Sequence, residues 1–248
     1  VGDDGNRPRE EATDVLIGAD GAFSRVARDA GIPRPRMVHL LQAVVRLPKD
    51  MDPGVTRIWF LPQDTPYFYW LIPHSPSYGV LGLIHTEEKE GQSRLERFLH
   101  KKNISAFDYQ GAPIPLYEKN VPMRREIADG HVYLVGDAAG HVKVTTVGGV
   151  VTGLRGARAV ARAIEKGRFD RELIRLRREL SLHRLIRKIL HGFRQSDYVK
   201  LLDLLNPPAR HLLGAITRDE ADKLLMRIMI KQPRLFLVGL RFLLTGGA

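Results

Sequence analysis

Two aspartates in this 248-residue chain follow short apolar runs and stand beside glycines. Asp20 lies in the sequence LIGADGAFSR, and Asp137 lies in the sequence VYLVGDAAG. If both apolar runs are strands of one parallel sheet, the carboxylates lie at its C-terminal edge and can accept hydrogen bonds from ribose-like hydroxyls. The neighbouring glycines let the backbone approach a ligand closely. The alternative interpretation of each motif is an ordinary turn with a surface aspartate.

The segment after Asp137 favours a cofactor site, because a glycine-rich loop at residues 141–149 precedes a predicted helix at 150–166. Backbone N–H groups there, with the positive end of the helix, would attract a pyrophosphate or the electron-rich edge of a flavin ring. We assign the apolar face of this helix to positions 150, 154, 157, 161 and 164. The predicted cofactor-binding residues are Asp20, Gly21, Arg25, Gly136, Asp137, Gly140, Thr146, Gly148 and Gly149.

Two residues of the same loop are candidates for catalysis. His141 or Lys143 could donate a proton or stabilise an anionic reduced flavin. The alternative is that both are merely exposed loop positions. The histidines elsewhere in the chain lack the spacing of metal ligands, so we predict no metal site.

The elements that would position these residues change in type along the chain. A strand and a short helix come first, at 13–17 and 24–30. Several short strands separated by turn residues then predict an antiparallel sheet. The predicted elements of this part are strands at 36–48, 56–61, 68–72 and 78–85, a helix at 90–101 and an extended segment at 112–122. A second strand and helix follow from residue 132, and after them only helices, at 170–194, 197–205, 217–230 and 233–244. Two separated strand–helix pieces around a sheet indicate a nucleotide-binding domain interrupted by an inserted domain.

Composition excludes several classes of protein. With 44% hydrophobic and 27% charged residues the chain is typical of a folded globular protein. It has no cysteine, which excludes disulfides, thiolate metal sites and a cysteine nucleophile. No apolar run approaches the roughly 18–20 residues that span a bilayer, and no signal peptide is visible. We therefore expect a cytoplasmic location, with peripheral attachment to a membrane as a further option.

The net charge of +11 raises the question of an anionic partner. One face of the predicted helix at 170–194 is basic, and its residues are Arg171, Arg175, Arg178, Arg184, Arg187 and Lys188. This face could meet an anionic membrane surface. It could equally be a solvated face with intrahelical pairs such as Glu172 with Arg175. Nucleic acid is disfavoured as a partner, because the arginines are not interleaved with aromatic residues and no nucleic-acid-binding motif is present.

The two aspartate motifs together resemble the second and third sequence fingerprints of FAD-dependent enzymes of the aromatic-hydroxylase fold. The first fingerprint of that fold, G-x-G-x-x-G, is absent. In the family it lies upstream of the position where this chain begins, at Val1. We therefore expect the chain to be truncated at its N-terminus.

A finer resemblance is to the geranylgeranyl reductase family. The sequence GDAAGHVKVTTVGG at 136–149 is similar to the family pattern GDAAG-x-V-K-P-T-T-G-G-G, with Val144 in place of proline and Val147 in place of the first glycine. The sequence FYWLIP at 68–73 is similar to the family's lipid-pocket motif Y-x-W-x-F-P. A helical tail after residue 170 is also typical of the family.

The resemblance implies an α/β (α+β) fold. Part of a Rossmann-like FAD-binding domain, at 1–35 and 129–168, would be interrupted by an antiparallel-sheet substrate domain at 36–128, and a helical region would follow at 169–248. It also implies that FAD is the cofactor and that Phe68, Trp70 and Pro73 line a substrate pocket.

The implied reaction is saturation of C=C bonds in geranylgeranyl (polyprenyl) lipid chains. Hydride would come from N5 of the reduced flavin and a proton from solvent or a side chain. The electron donor would be ferredoxin, F420 or NAD(P)H. Two alternatives stay open: an FAD-dependent monooxygenase of an apolar substrate on the same fold, and a non-catalytic lipid-binding remnant that lacks the site for the adenosine half of FAD.

Overall fold

A computed structural model describes residues 10–128, 130–168 and 171–215 of the chain. It contains two sheets and a set of helices, and the mixed α/β class predicted from the sequence is confirmed. The strands are β1 Val15–Gly18, β2 Met37–Arg46, β3 Arg57–Trp59, β4 Tyr69–Pro73, β5 Tyr78–His85, β6 Ala106–Pro115, β7 Arg124–Ile127 and β8 Gly130–Leu134. The helices are α1 Arg25–Asp29, α2 Glu88–Lys101, α3 Val150–Glu165, α4 Arg171–His191, α5 Gln195–Asp203 and α6 Pro207–Ala215, with a 3-10 turn at Gly136–Ala139.

The smaller sheet has the strand order β1-β8-β7. β1 runs parallel to β8, with Val15 opposite His131 and Gly18 opposite Leu134. β7 is antiparallel to β8. Because β1 and β8 are parallel, the turns that follow them lie at the same edge of the sheet, as the sequence predicted. The predicted domain boundaries stay a prediction; β7 lies in this sheet although the sequence assigned its residues to the substrate domain.

The larger sheet is antiparallel, with the order β3-β4-β5-β2-β6. Alternate side chains along a strand point to opposite faces, and the two faces have different partners. One face packs on α2, where Tyr69 and Leu71 belong to the same core cluster as Leu95 and Phe98. The other face forms a second cluster with the loop after β8. We call this second cluster the loop–sheet cluster; its buried members are Val38, Tyr67, Trp70, Ile84, Val142 and Val147.

The buried face of α3 differs from the predicted one. Val150 and Leu154 are 80% and 69% exposed. The buried positions are instead small residues, among them Thr152, Gly156 and Ala159. The prediction was wrong because it followed the helical spacing of apolar residues, whereas α3 packs closely through a different face that consists mostly of small residues.

Two segments that contain prolines differ from the prediction. Pro207-Pro208 follows the helix predicted at 197–205, and Pro207 begins a further helix, α6, that was not predicted. Proline is favoured in the first helical turn because no backbone N–H is needed there, and the Asn206 side chain accepts the Ala209 N–H at 2.9 Å. Of the extended segment predicted at 112–122, residues 112–115 form the end of a longer strand, β6, and no strand continues to 122; β7 was not predicted.

The C-terminal half of α4 is oriented differently from the prediction. Leu173, Leu176 and Leu180 are buried, but so is Arg187, which the sequence placed on the basic face of this helix. The helices predicted at 217–230 and 233–244 lie outside the described residues. Within the described ranges, every helix is too short or too polar to cross a bilayer.

Candidate cofactor and substrate site

The turn after β1 is closed by its own aspartate. Oδ2 of Asp20 accepts the backbone N–H groups of Arg25 at 2.7 Å and Val26 at 3.1 Å, and the Ser24 hydroxyl accepts the N–H of Ala27 at 2.9 Å. Burial opposes ionisation of Asp20, but the bonds from Ser24 and from these backbone groups outweigh it and lower the pKa of this carboxyl. Arg25, one of the predicted cofactor-binding residues, bonds Asp20 through its backbone N–H, and its side chain is exposed.

The turn after β8 leaves its aspartate open. Gly136 and Gly140 both have φ of 61°, a left-handed conformation that glycine adopts without strain. Among the described residues the Asp137 carboxylate has no hydrogen-bond partner, and burial raises the pKa of this group. A Cβ added at Gly149 would lie 3.1 Å from Asp137 Oδ1, so this glycine keeps the space beside the carboxylate clear. Asp137 can therefore accept hydrogen bonds from a ligand.

His141 is the residue that holds this second turn. Its ring is fully buried. Nδ1 accepts the backbone N–H of Gly136 at 3.2 Å, and Nε2 lies 3.3 Å from Met123 Sδ. Burial lowers the pKa of His141 to about 4, so the imidazole is neutral near pH 7. The predicted proton-donating role stays a prediction, and the geometry favours a positioning role.

The backbone of α3 is shaped around this imidazole. A Cβ added at Gly156 would come within 2.1 Å of His141 Nδ1, so only glycine allows the ring to lie against the helix. The hydroxyl of Thr152 donates a hydrogen bond to the carbonyl of His141. These contacts explain why α3 packs through its small residues.

The rest of the loop folds back on itself. The N–H of Lys143 donates to the carbonyl of Gly148 at 3.1 Å, and the N–H of Val147 donates to the carbonyl of Lys143 at 2.7 Å. Lys143 is buried rather than exposed, and its predicted catalytic role stays a prediction. Val147 has φ of 54°, so the loop keeps a left-handed residue at the position where the family pattern has glycine. Thr146 is half-buried beside it.

The predicted pocket residues Phe68 and Trp70 lie on the face of the large sheet that meets this loop. The Trp70 indole lies over Gly82 of the neighbouring strand, since a Cβ there would come within 2.4 Å of its ring. Pro73 ends β4 and is half-buried. The four rings of Trp70, Phe68, Phe60 and Tyr198 form consecutive contacts, which we call the aromatic row. Phe60 and Tyr198 stack with ring centroids 4.7 Å apart, so the row continues from the sheet onto α5.

Sequence reasoning missed the part of the site that α4 supplies. Glu179, His183 and Arg187 are buried and spaced by four residues, which places them on one helix face. The hydroxyl of Thr145, in the loop, and Nδ1 of His183 are 2.7 Å apart, and Glu179 pairs with Arg155 of α3 at 2.8 Å. The sequence does contain a signal, since these three polar residues are spaced by one helical turn. It was overlooked because the exposed face of the same helix has more arginines.

The residues present fit an FAD molecule. The hydroxyl groups and phosphates of such a ligand require a carboxylate that has no partner among the described residues, a second aspartate turn beside it and a glycine that keeps the space next to the carboxylate clear. Asp137, Gly136, Gly148 and Gly149 would hold its ribityl and flavin side. Asp20 and Gly21 shape the neighbouring turn.

Comparison with known proteins agrees with this interpretation. Residues 4–168 match the family described as the FAD binding domain. A chloroplastic geranylgeranyl diphosphate reductase of Oryza sativa subsp. japonica is 30% identical over 172 residues, which are 66% of this chain and 36% of the relative. A digeranylgeranylglycerophospholipid reductase of Methanothrix thermoacetophila is 31% identical over 171 residues, 62% of this chain and 42% of the relative. The chain thus spans well under half the length of these two relatives.

A solved structure shares the fold. The crystal structure of a geranylgeranyl bacteriochlorophyll reductase-like protein from Thermoplasma acidophilum superposes with a TM-score of 0.62 at 20% identity, covering 90% of this chain and 60% of that one. The resemblance stated from the two aspartate motifs and the FYWLIP segment is therefore confirmed. The two curated relatives named above are reductases of geranylgeranyl compounds. With a family match that covers more than half of its residues, this chain belongs to the FAD-binding-domain family, and its cofactor is FAD.

Proposed function

We propose that the protein is an FAD-dependent reductase that saturates C=C bonds in geranylgeranyl or other polyprenyl lipid chains. One observation carries the proposal: the loop–sheet cluster joins the cofactor loop directly to the aromatic face of the large sheet. Val142 and Val147 of the loop pack in one buried cluster with Tyr67 and Trp70. A long apolar chain lying on that face would run past the edge of the loop where a flavin would lie.

Each part of the site has a separate task in this proposal. Reduced FAD, when bound, supplies the hydride that the double bond accepts. Asp137 binds the cofactor through its open carboxylate, and His141 holds the turn that carries it. Phe68, Trp70 and Pro73 contact the apolar chain and exclude water from it. The names of the two curated relatives support this substrate class.

The partners in the proposal are the polyprenyl lipid, an electron donor and an anionic membrane surface. Ferredoxin, F420 and NAD(P)H are the candidate donors. Exposed arginines of α4, namely Arg171, Arg175, Arg178 and Arg184, support the membrane contact. Glu172, which the sequence offered as an intrahelical partner of Arg175, bonds Arg158 and Arg162 of α3.

The test of the reaction uses the protein as encoded, loaded with FAD and reduced by dithionite so that no natural donor is needed. Incubation with geranylgeranyl diphosphate should give products that gain two hydrogen atoms per reduced double bond, measured by mass spectrometry. A product that gains an oxygen atom under air would favour the monooxygenase alternative. No uptake of FAD at all would favour the lipid-binding remnant.

The two tryptophans provide a matched control for the pocket. Trp70 lies on the loop side of the sheet, whereas Trp59 packs against Phe98 of α2 with ring centroids 5.2 Å apart. Trp70→Leu should raise the KM for the lipid by about tenfold, because a buried aromatic contact contributes on the order of 1–2 kcal/mol. Trp59→Leu should leave the KM unchanged. Equal effects of the two substitutions would contradict the assigned face.

The membrane contact is tested with vesicles. The protein should sediment with phosphatidylglycerol vesicles and not with phosphatidylcholine vesicles. Replacing both Arg175 and Arg178 by glutamine should weaken that binding about 30-fold, since each basic residue near an anionic surface contributes about 1 kcal/mol. The control is Arg46→Gln, an exposed arginine on β2. Binding that does not depend on vesicle charge would contradict this part of the proposal.

A further inference from the structure

Arg187 is a buried cation without a counter-ion in the part of the chain that the structure describes. The residue is only 8% exposed. Its guanidinium carbon lies 4.2 Å from the centroid of the Tyr67 ring. Its Nε and Nη2 atoms have no hydrogen-bond partner among the described residues. A guanidinium cannot give up its charge by deprotonation near neutral pH, so the charge needs another kind of compensation.

The groups around Arg187 do not supply that compensation. Its charged or titratable neighbours are the phenols of Tyr67 and Tyr198, together with His191. Burial raises the pKa of both phenols, so they are neutral near pH 7. His191 cannot act as a counter-ion, because an imidazole is either neutral or positively charged; burial and the charge of Arg187 lower its pKa and favour the neutral form. The nearest acidic residue on the same helix face, Glu179, is bonded to Arg155.

A buried charge in such surroundings is costly unless an anion meets it. The free N–H groups of Arg187 form part of a planar donor fork, and this fork matches the oxygens of a phosphate or a carboxylate. The missing negative charge beside Arg187 therefore points to an oxyanion as the ligand.

The position of Arg187 identifies which oxyanion. Tyr67, on which the guanidinium lies, belongs to the loop–sheet cluster. Tyr198, its other phenolic neighbour, is the last ring of the aromatic row. One turn earlier on α4, His183 contacts Thr145 of the cofactor loop. The cation thus lies at the end of the apolar face, where a chain lying along the row would present its head.

We propose that Arg187 binds the phosphate-type head group of the polyprenyl substrate. This inference rests on the proposed function for the identity of the chain, and on Arg187 itself for the identity of the head. The aromatic row receives the hydrocarbon, and the guanidinium fixes the end of the molecule, so that the distance from the head determines which double bonds reach the cofactor loop.

The test measures binding directly, by titration calorimetry on the FAD-loaded protein as encoded. Three probes separate the contributions: geranylgeranyl diphosphate, geranylgeraniol, which has the same chain without phosphate, and inorganic pyrophosphate. Arg187→Gln should weaken binding of the diphosphate about 30-fold, the loss expected for charge-assisted hydrogen bonds, and leave binding of the alcohol unchanged. Arg97→Gln, an exposed arginine of α2, should change neither.

Each other outcome is also decisive. If the diphosphate and the alcohol lose affinity equally, Arg187 supports the pocket wall and the proposal is wrong. If pyrophosphate alone binds as tightly as the lipid diphosphate and with the same dependence on Arg187, the site takes a free phosphate and the lipid-head assignment is overturned. Arg187-dependent binding without any reduced product would contradict the proposed function while leaving this inference standing.

A stability measurement distinguishes an Arg187 that is available to a ligand from an Arg187 that already forms an ion pair with a carboxylate of the protein. Arg187→Met removes the charge and keeps the length of the side chain. If the charge lacks a partner, the thermal midpoint of the ligand-free protein should rise, because an uncompensated buried cation is gone. If a carboxylate already pairs with Arg187, the same substitution should lower the midpoint, and that result would overturn the proposal.

Discussion

The two aspartate turns are neighbours at one edge of the small sheet, yet their carboxylates have opposite fates. In the turn after β1, Asp20 accepts two backbone N–H groups and its pKa is lowered. In the turn after β8, Asp137 has no such bonds among the described residues, and its pKa is raised. Both turns contain a glycine in the left-handed conformation, Gly21 and Gly136. Of two similar sequence motifs, one therefore uses its carboxylate to stabilise its own turn, and the other leaves its carboxylate available to a ligand.

The difference comes from His141. A tight turn leaves backbone N–H groups that need an acceptor. After β1 the aspartate is that acceptor, whereas after β8 the buried imidazole accepts the Gly136 N–H. Because a histidine five residues along the chain satisfies the backbone, Asp137 keeps its acceptor capacity. The following experiments test this division of tasks, beginning with the largest expected effect.

The largest effect should be the pH dependence contributed by His141. Its folded-state pKa is about 4, against 6.5 for the unfolded chain, so the unfolded state binds the proton more readily. Stability is therefore lost as the pH falls from 6.5 towards 4, by up to about 3 kcal/mol. Denaturant unfolding at several pH values should show this slope, and His141→Asn should remove it.

The control for this slope is His100→Asn, near the exposed C-terminal end of α2. It should leave the pH dependence of the unfolding free energy unchanged. If His141→Asn retains the full slope over the same pH range, then His141 is not the buried neutral group that holds the turn.

The next effect should be on cofactor affinity. Asp137→Ala should weaken FAD binding by about 2 kcal/mol, the contribution of hydrogen bonds to a charged acceptor, with no loss of stability in the absence of FAD. In the unsubstituted protein the affinity should fall as the pH falls through the raised pKa of Asp137, because protonation removes the charged acceptor. Flavin fluorescence titration measures both effects. A loss of stability with unchanged affinity would reverse the roles assigned to the two aspartates.

A smaller effect is expected for Asp20, and on stability instead. Asp20→Ala should destabilise the protein by about 1 kcal/mol, the usual cost of losing a side-chain cap on helical N–H groups. Because the folded-state pKa of Asp20 is lowered, its contribution is present above about pH 4 and is lost as the pH falls through the folded value. Asp20→Asn keeps an acceptor oxygen and should lose less, as urea unfolding can measure.

The smallest effect should come from Val147, in the loop beside the second turn. Its left-handed backbone costs a β-branched residue about 1–2 kcal/mol, which nearly cancels what burial of its side chain contributes. Val147→Gly should therefore change the unfolding free energy by less than about 1 kcal/mol. Val142→Gly, in the same buried cluster but without a positive φ, should cost about 3 kcal/mol or more. Equal losses would show that Val147 is not strained.

The sequence was most informative where chemistry and local periodicity coincide. The apolar runs before Asp20 and Asp137 predicted two parallel strands and a shared edge. Trp70 and Phe68, predicted as pocket residues, lie on the sheet face that meets the cofactor loop. The buried face of α3 could not be deduced, because it depends on the imidazole packed against Gly156. Burial of Arg187 was missed for a related reason. α4 has polar residues on two faces, and the spacing of residues along the helix does not reveal which of these faces is covered by another part of the molecule.

The pairing of β1 with β8 also has a consequence for the order in which the protein folds. Val15 meets His131 across more than a hundred intervening residues, so at a synthesis rate of about 5–20 residues per second β1 waits several seconds for its partner. During that interval it is an unpaired strand, and Leu16 and Ile17 remain half-exposed even in the folded protein. Such a strand is prone to pair with other chains. A ligand that binds both turns can bind only after β8 has been synthesised, and it would then stabilise this long-range pairing of β1 with β8.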